Sequence, residues 1–214
     1  MLSFADLRHA VNVSDASLMT RLAETNSDAA LRLMEAAANA FAEKGFPATT
    51  TRDIASRAGL SPAGVYVHFS SKEELLFQLS RHGHEIARDL LAEAASAANS
   101  PTEALRDIAS GFAQWHAEHY VMGRIVQFEF RHLTDEHRDV VLNLRKEIDR
   151  VVRTVLADGV ATGEFDVDDV PGTALAILSL AVDVARWYSP EITRTPEVIG
   201  RSTGDFALRL VRAH

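Results

Sequence analysis

A short stretch near the front of the sequence combines residues that could contact the phosphates and base edges of duplex DNA. Small side chains such as Ala63 and Gly64 would let a helix come close to base edges in the major groove. The hydroxyl, imidazole and ammonium groups of Tyr66, His68 and Lys72 suit contacts to phosphate oxygens. The complete set of predicted DNA-binding residues is Thr50, Arg52, Ser61, Ala63, Gly64, Tyr66, His68 and Lys72.

Three short helices must position this set. Ala55, Gly59 and Val65 have the spacing of a small contact residue, a turn glycine and a buried aliphatic in two helices that cross steeply, and Ile54 and Phe69 would complete a small core. The tyrosine and histidine would then lie on the outward face of the third helix. The spacing alone is common in helical proteins, and such a tyrosine or histidine is more often an ordinary surface residue. The helix-turn-helix prediction therefore depends on the combination.

Helix boundaries follow from capping residues and apolar periodicity. Thr50 and Asp53 have the spacing of a capping box, and Ser61 precedes Pro62, which is tolerated at a first helical position. Strand-like alternation is missing, so we expect an all-α fold. The predicted helices cover about 27–44, 50–58, from 62, 71–98, from 101, 121–132, 135–161, 169–188 and 195–212.

The composition fits a soluble, cytoplasmic protein. The apolar share is 47% and the charged share 24%, and the absence of cysteine excludes a disulfide scaffold and a cysteine-ligated metal site. The first ten residues lack the basic start and apolar core of a signal peptide. The most apolar stretch, 174–184, is too short to span a bilayer and contains Asp183. We therefore expect no membrane partner.

Charge is distributed unevenly along the chain. The net charge is −8, which argues against a nucleic-acid partner, but residues 44–72 carry four cations and one anion and leave −11 on the rest. A small basic segment on an acidic body can still bind phosphates, because binding depends on the local field.

The combined motif is highly specific and resembles the N-terminal domain of TetR-family transcriptional repressors over about 50 residues. This resemblance implies a homodimer, a palindromic double-stranded DNA operator, and a C-terminal pocket whose small-molecule effector releases DNA. Residues 184–190 further resemble members that respond to acyl-CoA thioesters or steroid-derived acids. The matching segments are 41–46, 48–50, 52–55, 58–61, 65–69 and 71–75.

Three regions are expected on this basis. Residues 1–26 would be an N-terminal extension, 27–75 the three-helix DNA-binding domain, and 76–214 a helical ligand-binding and dimerisation domain. The extension departs from the short basic arm of the family, because it carries two arginines and three acids.

A repressor needs a signal, so the second domain should hold an apolar pocket. Each aromatic or aliphatic candidate could instead simply fill the core. Arg186 could anchor a carboxylate or phosphate, but it could also stabilise its helix end or pair across a dimer. The predicted ligand-binding residues are Phe112, Trp115, Met122, Val126, Phe128, Phe130, Arg186 and Trp187.

The last two long helices are the predicted dimer interface, because two such helices per chain can form a four-helix contact. The helix at 169–188 is apolar almost all round, which indicates burial, perhaps between subunits. The predicted dimerisation residues are Leu175, Leu178, Ala181, Val182, Phe206 and Leu210.

Enzymatic chemistry is not expected. The sequence has no glycine-rich phosphate loop, nucleophile elbow or recognisable pair of catalytic carboxylates, and we expect no cofactor. His116 and His119 are three apart on one helix, but a metal site needs a third ligand, and we expect these pairs on solvated faces. Two alternatives stay open, namely a helical metal-binding protein or enzyme that uses the histidines, and a small-molecule-binding dimer that has lost DNA binding.

Overall fold

The computed structural model describes residues 27–212, and every regular element within that range is helical. The all-α prediction is confirmed, whereas the predicted extension 1–26 lies outside the described residues. A 3-10 turn, Phe130–His132, follows the sixth helix. The helices are α1 Asp28–Ala48, α2 Thr51–Arg57, α3 Pro62–His68, α4 Lys72–Ala97, α5 Pro101–Glu118, α6 Tyr120–Phe128, α7 Asp135–Thr162, α8 Val170–Val182, α9 Val184–Trp187 and α10 Pro196–Leu210.

The chain divides into two compact units. Within the described range, the first unit comprises residues 27–83 and 121–141, and the second comprises 84–120 and 142–212. The first unit is therefore larger than the predicted 27–75, because it includes a segment from the middle of the chain. The boundaries fall inside α4 and α7.

The C-terminal end of α1 carries a kink that shapes the first unit. Gly45 has φ +76°, a left-handed value that favours glycine. The buried hydroxyl of Thr49 lies 2.8 Å from the Gly45 carbonyl oxygen and 3.1 Å from that of Ala40, so it satisfies carbonyls that the kink releases. The sequence predicted that Gly45 ends the helix, and the structure places the end three residues later, after this kink.

Capping fixes α2 and α3 as the sequence predicted. Thr50 and Asp53 form a complete capping box, and the Ser61 side chain accepts a hydrogen bond from Gly64 N–H. Gly59 has φ +68° in the turn between these helices. The predicted small core is confirmed, because the buried side chains include Ile54, Ala55, Val65 and Phe69.

The second unit is built on close contact between α5 and α10. A Cβ added to Gly200 would lie 2.6 Å from the Ser110 carbonyl oxygen, and one added to Gly204 would lie 3.0 Å from the Arg106 carbonyl oxygen. These two glycines, one helical turn apart, therefore let the two backbones touch. The Phe165 ring lies similarly close to Gly159, which anchors the loop after α7.

The apolar helix expected at 169–188 is interrupted. Its stretch Val170–Trp187 has a mean hydropathy of 1.3 over 18 residues, which is long and apolar enough for a membrane span by composition. However, the helix ends at Val182 and a short separate helix begins at Val184. The 13 residues of α8 rise about 20 Å, less than the hydrocarbon core of about 30 Å.

Candidate nucleic-acid interface and interior residues

The outward face of α3 carries the predicted base-contacting residues. Tyr66 is 60% exposed, while Val65 beside it is fully buried and fixes the rotation of the helix. His68 is exposed as well, and Gly64 is half-buried. Ser61 and Ala63 are exposed at the N-terminal end of the same helix.

Sequence reasoning missed Val67 on this face. Its side chain is 78% exposed, which is unusual for a β-branched apolar residue. An exposed aliphatic group beside Tyr66 suits contact with a thymine methyl group. The signal was available, since Val67 lies two positions from the buried Val65 on a helix and must therefore point away from it.

The N-terminus of α2 presents Thr50 and Arg52, which are both exposed. The Thr50 hydroxyl donates to Asp53 Oδ2 at 2.8 Å and accepts from Asp53 N–H at 3.1 Å. The backbone and side chain of Thr50, together with Lys44, lower the pKa of Asp53 to about 2. Thr50 therefore holds the start of α2 in place, and Arg52 is the cation beside it.

Lys72 does not occupy the position expected of a phosphate contact. Its Nζ lies 2.7 Å from the carbonyl oxygens of Phe46 and Thr49 and 3.4 Å from that of Pro47. It also lies 4.4 Å from the centre of the Phe46 ring. An ammonium has three protons, so these carbonyls account for all of them, and partial burial lowers the pKa of Lys72. Lys72 therefore caps the C-terminal end of α1, which corrects the sequence-based interpretation.

Two other cations of the basic segment are paired within the first unit. Lys44 Nζ lies 3.2 Å from Asp53 Oδ1, and Arg57 forms a two-pronged salt bridge with Glu43. Glu43 lies one residue outside the segment 44–72, so the count of +3 overestimated the local charge. All four of these side chains are partly exposed, so the pairs can rearrange in the field of a phosphate backbone.

The predicted ligand-binding residues fall into two sets. Met122, Val126, Phe128 and Phe130 belong to the first unit, and the other four belong to the second. Met122 and Val126 are buried, Phe130 is half-buried and Phe128 is 54% exposed. The structure therefore does not bring the eight residues together in one unit.

Aromatic residues of α5 form a cluster in the second unit. Phe112 is buried in the core, and its ring stacks with that of Trp115 at 6.5 Å between centroids. The His116 ring lies 4.4 Å from Phe112 and 5.0 Å from Trp115. Trp115 Nε1 is buried without a hydrogen-bond partner among the described residues.

His116 is buried, which corrects the expectation of a solvated histidine pair. Its Nδ1–H donates to the Phe112 carbonyl oxygen at 2.9 Å, and burial lowers its pKa to about 4. The ring is therefore neutral near pH 7. No group of three or more histidine or acidic side chains within residues 27–212 is arranged to hold a metal ion.

Arg186 is exposed rather than interior. Its Nε and Nη2 atoms contact the two carboxylate oxygens of Asp183 at 2.6 and 2.8 Å. Asp183 lowers its own pKa through this pair and raises that of Arg186. The neighbouring Trp187 is 38% exposed. The predicted anchoring of a buried anion by Arg186 therefore has no support in this placement.

Another arginine, which the sequence analysis did not single out, lies inside the second unit. Arg145 Nε donates to His84 Nε2 at 3.1 Å, which joins α7 to α4. Burial lowers the pKa of Arg145. No sequence signal distinguished it from the other arginines of α7, because its burial depends on the packing of three helices.

The predicted dimerisation residues divide by exposure. Leu175, Phe206 and Leu210 are 65%, 48% and 47% exposed, and Leu180, which was missed, is 45% exposed. Leu178 and Val182 are partly buried against the core. Ala181 is 1% exposed and belongs to the core, so it is not an interface residue. The expectation that α8 is buried on all sides within one chain is also wrong.

The exposed, capped third helix on a three-helix core defines the class of helix-turn-helix proteins. A family model described as bacterial regulatory proteins of the tetR family matches residues 33–79, and one described as the tetracyclin repressor-like C-terminal domain matches residues 98–211. The chain therefore belongs to the TetR family of transcriptional regulators.

Individual relatives agree with this assignment. The chain is 31% identical over 171 residues to the HTH-type transcriptional repressor KstR2 of Mycolicibacterium smegmatis, covering 79% of this chain and 83% of that protein. A tetR-family regulatory protein from Rhodococcus RHA1 has a TM-score of 0.84 and 33% identity, covering 88% of this chain and 100% of the other. The ketosteroid transcriptional regulator KstR2 of Mycobacterium tuberculosis has a TM-score of 0.77 and 28% identity, covering 86% and 95%.

Proposed function

We propose that this protein is a repressor that binds a palindromic operator as a homodimer by placing α3 in the major groove. The exposure of Tyr66 and Val67 opposite the buried Val65 is the observation that carries the proposal. Ala63 and Gly64 leave room for base edges at the N-terminal part of the helix. In the bound dimer the two copies of α3 would lie about 34–36 Å apart, matching successive turns of the groove.

Phosphate contacts would come from the start of α2. Arg52 is exposed there, beside the exposed Thr50. Lys44 can leave Asp53 for a phosphate, since its side chain is 43% exposed. Lys72 would act only indirectly, by holding the carbonyl groups at the end of α1. The number of direct phosphate contacts per head is therefore small, and a modest salt dependence follows.

The homodimer would form through α8 and α10. Leu175 and Leu180 lie on one exposed face of α8, and Phe206 and Leu210 lie on one exposed face of α10. Two such helices from each chain would form a four-helix interface and remove these apolar side chains from water. A second copy, rather than a membrane, is the occupant that we propose for this surface, in keeping with a cytoplasmic protein.

Release from DNA would follow binding of a small apolar or acyl-CoA-like effector within residues 76–214. Such a ligand shifts the equilibrium only by its differential affinity for the DNA-free state. The proposed role is regulatory and involves no catalysed reaction. KstR2, a ketosteroid regulator by name, supports an effector of comparable, largely apolar character.

The test is a salt series of DNA-binding titrations with the duplex upstream of the protein's own reading frame. The proposal expects two protomers per site, and affinity that falls as salt rises and falls again when effector is added. Failure to bind the duplex at low salt would contradict it and would favour a helical metal- or small-molecule-binding protein without DNA binding.

A further inference from the structure

Arg145 and His84 form a polar contact in the interior of the second unit. The Arg145 Nε–H donates to His84 Nε2 at 3.1 Å, so this imidazole nitrogen is unprotonated. Burial lowers the pKa of Arg145, whereas Asp89 and Glu147 raise the pKa of Arg88, one turn along α4 from His84. Arginine remains charged even where burial disfavours the charge, and a guanidinium in such a place favours an anion beside it.

A further hydrogen-bond donor lies in the same cluster of side chains. His84 and His119 both lower the pKa of His116 electrostatically, so all three imidazoles lie near one another. The Trp115 ring lies 5.0 Å from that of His116 and 5.1 Å from that of His119. Its buried Nε1–H has no partner among the described residues. A buried donor of this kind requires an acceptor to offset its desolvation.

Aromatic surface adjoins these donors. The rings of Phe112 and Trp115 are nearly parallel, with an interplanar angle of 18°. Phe112 belongs to the hydrophobic core of the second unit, and Trp115 packs against that core. One group of side chains thus offers a cation, an indole donor and apolar ring surface, which together match a molecule that is apolar over most of its length and anionic at one end.

We infer that Arg145 and His84 form the anion-binding end of the effector site, and that the effector is an amphipathic organic acid. The guanidinium contacts the anion oxygens, His84 orients the guanidinium through Nε, and the Trp115 indole donates to an oxygen of the same ligand. The anion can be a free carboxylate or the phosphate groups of a coenzyme A thioester, since a guanidinium binds both. This inference rests on the proposed function.

The test compares charged and neutral probes of equal chain length by calorimetric titration. Decanoate and decanoyl-CoA are the two anions, and decan-1-ol is the neutral probe. The wild-type protein should bind at least one anion about tenfold more tightly than the alcohol, because a hydrogen bond to a charged group is stronger than a neutral one. The anion that binds better identifies the source of the charge. Equal affinity for all three probes would overturn the inference.

Variants assign the preference to the guanidinium. Arg145→Gln should lower the affinity for the preferred anion about tenfold and leave the affinity for decan-1-ol within about twofold. Arg150→Gln, an exposed position on the same helix, is the matched control and should bind all probes as the wild type does. Arg145→Lys keeps the charge and should retain part of the preference, which provides a folded variant if Arg145→Gln is unstable. A parallel loss for anion and alcohol would also overturn the inference.

DNA binding separates this inference from the proposed function. Arg145→Gln should still bind the upstream duplex, while the preferred anion should no longer release it at the concentration that releases the wild type. If the anion releases DNA from both proteins equally, the anion site is wrong and the repressor function stands. If neither protein binds the duplex, the proposed function itself fails.

Discussion

Glu129 accepts a hydrogen bond from the backbone N–H of Phe46, with 3.2 Å between Oε1 and the nitrogen, although the two residues lie 83 positions apart. Phe46 follows the kink at Gly45, where the regular helical pattern of hydrogen bonds is broken. Its ring stacks on that of His132 at 5.0 Å. The segment 121–141 is therefore tied to the end of α1 by a polar contact and a ring contact within the first unit.

Removal of this carboxylate should destabilise the first unit. Glu129→Ala leaves the Phe46 N–H without its acceptor, so we expect the free energy of unfolding to fall by about 1–3 kcal/mol. Glu129→Gln keeps an acceptor oxygen and should lose less. Urea denaturation followed by fluorescence measures both, and equal stability of Glu129→Ala and the wild type would show that the bond contributes nothing.

Lys72 and Arg52 should separate stability from DNA affinity. Lys72→Ala leaves carbonyl groups at the end of α1 without a donor, and we expect it to lower the free energy of unfolding by about 1–3 kcal/mol. Arg52→Ala should leave stability unchanged and reduce the slope of log affinity against log salt by about one. A reduced salt slope in a fully stable Lys72→Ala protein would restore Lys72 as a phosphate contact.

Tyr66 should matter for DNA and not for folding. Because its side chain is 60% exposed, Tyr66→Ala should leave the melting temperature nearly unchanged. We expect it to weaken operator binding by about 1–3 kcal/mol, as for a direct groove contact. Val65→Ala is the contrasting variant, since it removes buried atoms and should lower the melting temperature. A large loss of stability in Tyr66→Ala would place the ring in the core instead.

The exposed apolar faces of α8 and α10 should control association. Leu175→Glu and Phe206→Glu each place a charge in the proposed interface and should yield monomers at micromolar concentration in sedimentation experiments. Val140→Glu introduces the same charge at an exposed position of the first unit, where the wild-type side chain is 38% exposed, and should leave the dimer intact. A wild-type protein that sediments as a monomer would contradict this interface.

His116 should make folding pH-dependent in a defined window. Its pKa falls from 6.5 in the unfolded chain to about 4 in the folded protein, so between these values unfolding takes up a proton. The free energy of unfolding should therefore decrease as the pH falls from 6.5 to 4, by on the order of 3 kcal/mol in total. His116→Phe should remove this part of the pH profile in thermal melts. An unchanged profile would mean that the imidazole is not buried in neutral form.

Local signals in the sequence predicted the parts of this structure that depend on neighbouring residues. The capping box at Thr50, the proline at position 62 and the left-handed Gly59 all depend on short-range backbone chemistry. The buried Val65 and exposed Tyr66 follow from helical periodicity within a recognised motif.

Contacts between distant segments were not predictable in the same way. Lys72 looked like a phosphate ligand because its charge is visible in the sequence, whereas the carbonyl groups that hold it are exposed only by the kink in α1. The burial of His116 and the bond from Arg145 to His84 likewise depend on how separate helices pack. Single-sequence patterns report the face of one helix and not its partner.

Site-specific photo-cross-linking to duplex DNA tests the central claim most directly. A benzophenone-bearing amino acid at position 67, where the wild-type side chain is 78% exposed on α3, should cross-link to the upstream duplex. The same group at position 160, on α7 and 40% exposed in the wild type, should not. DNA cross-linked from position 67 alone, and lost when the effector is added, is the predicted result. Equal cross-linking from both positions, or none from position 67 at low salt, would contradict the placement of α3 in the groove.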